Sequence, residues 1–144
     1  MATKKNLNRN TVRMLRKVQR FLMEEPRRFN MREGVVSSTA IKDQLEQPPC
    51  GTACCIAGAI YILGNSVALH GQHIGFIVIE HYAAAQFNLR GSLASRLFFY
   101  NSGLPDERWP NFYANAYQAA QTPLERACIG VARIEHFIAT DGQE

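Results

Sequence analysis

The sequence predicts an all-α fold: a compact single domain of five or six helices around a central apolar helix that begins near Cys50. Three observations carry that expectation. Apolar residues near both ends of the chain recur at three- and four-residue steps, as one face of a helix requires. The stretch from Cys50 to Leu63 contains no charged residue, and a helix that is apolar all round belongs in the centre of a domain. Thr122-Pro123-Leu124-Glu125 joins an N-cap threonine, a proline at the first helical position and a carboxylate placed to close a capping box. The chain has 144 residues, of which 47% are hydrophobic and 19% charged. A chain of that size buries about 68–70% of its unfolded surface, enough for one core spanning residues 1–144.

The first element is a helix over about residues 8–25. Leu7, Met14, Leu15, Val18, Phe21 and Leu22 form its dry side, while Arg9, Arg13, Arg16, Lys17 and Arg20 fall within an arc of roughly 80° opposite. Pro26 ends it, because proline lacks the amide hydrogen and clashes with the preceding turn. Residues 27–49, with Gly34, a Ser-Ser-Thr run and Pro48-Pro49, read as a loop holding at most a brief helix around Ile41 to Leu45. The apolar helix follows and stops at Gly64-Asn65. Phe76-Ile77-Val78-Ile79 suits a strand, but the Ala-rich continuation to Phe87 favours a helix. After Gly91, residues 92–99 form a short helix with Leu93, Leu97 and Phe98 inward. Trp109-Pro110 opens another, whose Trp109, Phe112, Tyr113 and Tyr117 are expected in the core. The last helix runs from Thr122 to about Ala139, before Asp141-Gly142.

Function classes narrow with composition. MATKKNLNRN lacks the apolar stretch of a signal peptide, and no window reaches the roughly 18 apolar residues of a membrane span. A cytoplasmic, membrane-free protein is therefore expected. The four cysteines then read as thiols, ligands or a nucleophile before disulfides. The net charge of +4 is unevenly spread: residues 1–33 hold ten lysines or arginines against Glu24, Glu25 and Glu33.

Five segments also occur in a combination known elsewhere. Pro49-Cys50-Gly51-Thr52-Ala53-Cys54-Cys55-Ile56-Ala57-Gly58, Arg96-Leu97-Phe98-Phe99, Trp109-Pro110, Arg126-Ala127 and Arg133-Ile134-Glu135-His136-Phe137-Ile138 together resemble a family of small bacterial and phage proteins. Its marks are a CGTxxCxAG segment and a closing RIExFI-type helix. The resemblance implies an all-helical fold and brings no catalytic assignment. A phage or mobile-element origin would make a host protein a partner class. Cys54, a second thiol beside Cys55, and the small Ala59 after the glycine depart from the family pattern.

Four constellations are candidates for chemistry. Cys50 stands at the mouth of the predicted apolar helix, whose first amide hydrogens need a partner. Cys50 or Thr52 can cap them, an anion can bind there, or Cys50 can be held as a thiolate nucleophile. A cysteine-dependent hydrolase or transferase would add a histidine and a carboxylate, with His136 and Glu135 as the candidates beside His70, His73, His81, Glu80 and Asp141. The bland reading, a structural thiol cluster, is preferred, since free cysteine is among the most buried residue types. Cys50, Cys55, His70 and His73 make a tetrahedral zinc set by type, although an i,i+5 cysteine pair fits one helix poorly. Without it no cofactor is expected. Glu135 falls on the apolar arc of the last helix and so is expected partly buried, beside an arginine such as Arg90 or Arg96. His136 is expected exposed.

Finally, Arg9, Arg13, Arg16, Lys17 and Arg20 can bind phosphates or an acidic protein surface, although most such stripes are the wet side of an amphipathic helix. These residues point first to a non-enzymatic binding or interaction protein with a protein partner. The cysteine enzyme comes second, and a nucleic-acid-binding protein using the basic helix third.

Overall fold

Asn8 starts the first helix. Its side-chain Oδ1 accepts the Thr11 amide hydrogen at 2.8 Å, and α1 runs from Arg9 to Glu24 in the computed structural model. That model describes residues 5–31, 35–37, 52–65, 76–87, 91–99 and 108–144. Leu15, Val18, Phe21 and Leu22 of α1 are buried. Pro26 breaks the helix as expected, and residues Pro26–Arg28 make one 3-10 turn that Glu25 caps.

Among the described residues six α-helices form the all-α fold, with α2 at Ile56–Asn65, α3 at Phe76–Phe87 and α4 at Gly91–Phe98. The last two are α5 at Asn111–Ala119 and α6 at Pro123–Ala139. The segment Phe76–Ile79 is thus helical, and propensity over the longer window prevails over its β-branched start. α1 lies along α6, and α2 packs on α3 and α1. One core joins them, from Leu15 and Leu22 of α1 through Ile56 and Ile60 of α2 to Ile134 and Phe137 of α6.

The apolar helix starts later than expected. It begins at Ile56, not near Cys50, because Thr52–Cys54 is a short strand, β2. β2 pairs antiparallel with β1, Val35–Ser37, in the register Val35↔Cys54, Val36↔Ala53 and Ser37↔Thr52. The loop expected over residues 27–49 therefore contains a strand. Val35-Val36 and Thr52 are residues that favour extended backbone, and charge-free composition alone does not separate a buried strand from a buried helix. Phe29 bridges to Cys54 as well, and Asn30 N–H donates to the Cys54 carbonyl at 2.8 Å.

Where α6 meets the 3-10 turn after α1, Gly130 makes the close approach possible: a Cβ there would stand 2.5 Å from the ring of Phe29, the residue that follows the turn. Phe29 meets Tyr117 edge-on at 5.8 Å, and Tyr117 in turn meets Trp109 at the same separation. The Tyr117 hydroxyl accepts the Met31 amide hydrogen at 2.9 Å. Trp109 is fully buried and donates from Nε1 to the Leu97 carbonyl at 2.7 Å. Phe112, expected in the core, is 77% exposed instead, since it falls on the outer side of a helix only nine residues long. No helix among the described residues is long and apolar enough to cross a membrane.

Candidate functional site

The amphipathic pattern of α1 decides which of its cations face water. With the apolar stripe turned into the core, Arg9, Arg13, Lys17 and Arg20 are all exposed. They repeat at steps of four, four and three residues and so form one row about 16 Å long, given the 1.5 Å helical rise. None of the four has an ion-pair partner among the described residues, and the one acidic residue of α1 is Glu24, at its far end. Spacings of three and four bring like charges together on the helix surface, which costs about 0.2–0.5 kcal/mol for each pair. The positive end of the helix dipole adds to the repulsion at Arg9, in the first turn. The row is thus held at some cost to helix stability.

Arg16 departs from the row. It turns to α6 and forms a double-toothed ion pair with Glu135, from Nη1 to Oε2 and from Nη2 to Oε1, the latter at 3.2 Å. Gln19 completes the link by donating from Nε2 to Glu135 Oε2 at 3.2 Å and to the Val131 carbonyl at 3.1 Å. The Arg16 guanidinium, with the Gln19 amide, holds the Glu135 carboxyl below the ordinary carboxylate range. Glu135 was expected partly buried in an ion pair with Arg90, Arg96 or another arginine; it does pair with an arginine, Arg16, but its side chain is 52% exposed. The two arcs meet at the helix–helix boundary, where a long side chain on either face can reach across.

A recess of about 570 Å³ opens beside the start of the row. Leu7 and Val12 give it an apolar floor, and Lys5, Arg9 and Arg13 stand around it with Asn8. Asp141 fixes this corner from the turn after α6, since its two carboxylate oxygens accept the backbone hydrogens of Asn6 at 2.8 Å and Leu7 at 2.9 Å. Those two bonds lower the Asp141 pKa below the usual value. Asp141 takes φ of 54°, the left-handed region, and Gly142 follows at 77°, so the chain reverses directly after α6.

The catalytic set proposed from the sequence does not assemble from its described members. His136 and Glu135 are neighbours on α6 with different partners. His136 Nε2 lies 2.9 Å from Glu144 Oε2, its ring stacks at a tilt on Tyr113, and it is half-buried where exposure was expected. Cys50 lies outside the described residues, as do His70 and His73 of the zinc set. Cys55, the fourth member of that set, is fully buried, and its Sγ accepts the Gly58 amide hydrogen at 3.3 Å. It is therefore the N-cap of α2, the task that the sequence offered to Cys50 or Thr52. Among the described residues no three His, Cys, Asp or Glu side chains are grouped to hold a metal ion.

Sequence reasoning missed Arg133. It is 0% exposed, although it belongs to a residue type that is rarely buried without a pair. Its place on the inward side of α6, three residues after Gly130 and one before Ile134, carried the available signal. No family model, no curated protein and no solved structure matches the chain.

Proposed function

We propose that this chain is a non-enzymatic binding protein that docks an acidic partner protein through the outward row of α1, Arg9, Arg13, Lys17 and Arg20. The observation that carries the reading is the row itself: four exposed cations without an ion-pair partner among the described residues, on a helix whose opposite face is in the core. A field of one sign raises the local concentration of anionic partners and speeds their encounter. The adjoining recess favours a protein over a nucleic acid. Leu7 and Val12 offer an apolar seat for a side chain next to the charges, and interface cores combine such anchors with a polar rim. Phosphate recognition has no use for that seat.

The test is an NMR titration with three probes at low and at physiological salt. They are a peptide alternating glutamate with leucine, hexaglutamate, and a short DNA offered as duplex and as single strand. The expected result is that the glutamate–leucine peptide binds more tightly than hexaglutamate and moves the resonances of Arg13, Lys17 and Val12, with DNA weaker than either. Tighter binding of DNA would make this a nucleic-acid-binding protein instead. Binding of none of the three at low salt would leave the row a solvated face and refute the reading.

A further inference from the structure

Two recesses meet at the corner where α1 begins and α6 ends. The one of about 570 Å³ lies on the α1 side, and a second, of about 520 Å³, lies on the α6 side with Ile138, Ala139 and Asp141 in its wall. Lys5, Leu7 and Val12 line both, so the two halves form one trough over the buried Leu7. The helices that bound it are antiparallel, since bonds join Leu7 to Asp141, Arg16 to Glu135 and Gln19 to Val131, in falling order along α6.

Across the trough the charge changes sign. Arg9 and Arg13 stand exposed on the α1 wall, and the Asp141 carboxylate belongs to the opposite one. The helix dipoles add to the difference, because the positive end of α1 and the negative end of α6 lie at this same corner. Each Asp141 oxygen accepts one backbone hydrogen and has a second lone-pair site, so the carboxylate can take a further donor. Between the walls, Val12 and Ile138 are half-buried and leave apolar surface open.

A partner that is acidic on every side gains at the α1 wall and is repelled at the other, and like charges across an interface suppress the wrong partner. An amphipathic helix meets the whole trough when its apolar stripe has carboxylates on one flank and cations on the other. We propose that the docking partner presents such a helix, with its apolar stripe on Leu7, Val12 and Ile138, its carboxylates toward Arg9 and Arg13, and its lysines or arginines toward Asp141. That partner chemistry rests on the reading of the α1 row as a docking surface. It adds a charge order and hence a direction, because reversing a helix in the trough exchanges its flanks.

Two helical peptides of identical composition decide the point by isothermal titration into the full chain at physiological salt. Each has a leucine stripe and a hydrocarbon staple on the face opposite it. In the first, glutamates hold one flank and lysines the other; in the second, both alternate along both flanks. The first should bind at least about fivefold more tightly. Ala139→Lys changes an exposed position of the α6 wall, where a cation also suits the helix end. It should weaken the first peptide severalfold and leave the glutamate–leucine peptide bound at least as tightly as before. Equal affinity for the two stapled peptides, binding of neither, or an Ala139→Lys variant that binds the first peptide unchanged would each overturn the proposal. The glutamate–leucine peptide keeps the two readings apart. Its binding to the unaltered chain, with the stapled pair bound equally, would remove the charge order and leave the row as a docking surface, whereas its failure to bind would remove the row itself.

Discussion

Gly130→Ala measures how tightly α6 is seated on the rest of the molecule. A Cβ at position 130 would lie 2.5 Å from Phe29 Cε2 and 2.7 Å from Cζ, where ordinary carbon contacts need about 3.5–4.0 Å. The Phe29 ring must then retreat by about 1 Å. It has little room, being 3% exposed, held edge-on by Tyr117 and tied by its backbone to Cys54. Overpacking of this kind costs about 1–3 kcal/mol, against a helix-propensity gain of about 1 kcal/mol for replacing glycine by alanine. The net expectation is a loss near 1 kcal/mol, or about 2–4 °C in Tm for a chain approaching 150 residues. Urea unfolding followed by the emission of the one tryptophan, Trp109, reads it. Phe29→Leu supplies the decisive background, because without the ring the new methyl has space. There Gly130→Ala should turn neutral or stabilising, giving a coupling of about 1–2 kcal/mol in the double-mutant cycle. A stabilised single variant, or the same cost in both backgrounds, would refute the packing argument.

Asp141→Asn should lower stability by about 1–2 kcal/mol at neutral pH, because two charged oxygens that each accept a backbone hydrogen are replaced by one neutral acceptor oxygen and an NH2 that cannot accept. Since the folded pKa of Asp141 is lowered, its contribution is complete above the ordinary carboxylate range and is lost as pH falls through the folded value. The gap between Asp141→Asn and its parent should therefore close in thermal melts taken well below pH 4. Iodoacetamide should label the exposed Cys128 in the native protein and reach Cys54 and Cys55 only on unfolding, while fast labelling of Cys50 with an acidic pKa would revive the cysteine-enzyme reading. Arg13→Gln, which relieves the like-charge steps to Arg9 and Lys17, should raise stability by about 0.3–1 kcal/mol in the same urea assay.

Legibility followed the physics of each segment. α1 and α6 could be placed within a residue or two because their signals are local: a 3.6-residue period, an asparagine or threonine cap, and a proline at a helix boundary. The capping box is real but offset, since Glu125 receives the Gln121 amide hydrogen at 2.8 Å rather than that of Thr122. The start of α2 was misplaced because β2 owes its conformation to pairing with β1, and a distant partner leaves no periodic trace. The site divides in the same way. Which cations of α1 face outward followed from the helical wheel, apart from Arg16. Its pairing with Glu135, and the burial of Arg133 under Glu144, depend on how separate elements meet in space.

Arg13 and Arg16 are neighbours on one helix that the sequence treats alike, and the docking row rests on the difference between them. Isothermal titration of the glutamate–leucine peptide into Arg13→Gln and Arg16→Gln, across a salt series, compares them directly. Arg13→Gln should weaken binding severalfold and flatten its salt dependence. Arg16→Gln, which removes a charge already spent on Glu135, should change the affinity less than about twofold. Equal losses in the two variants would mean that the peptide responds only to the net charge of the helix, and the claim of a built docking row would fall.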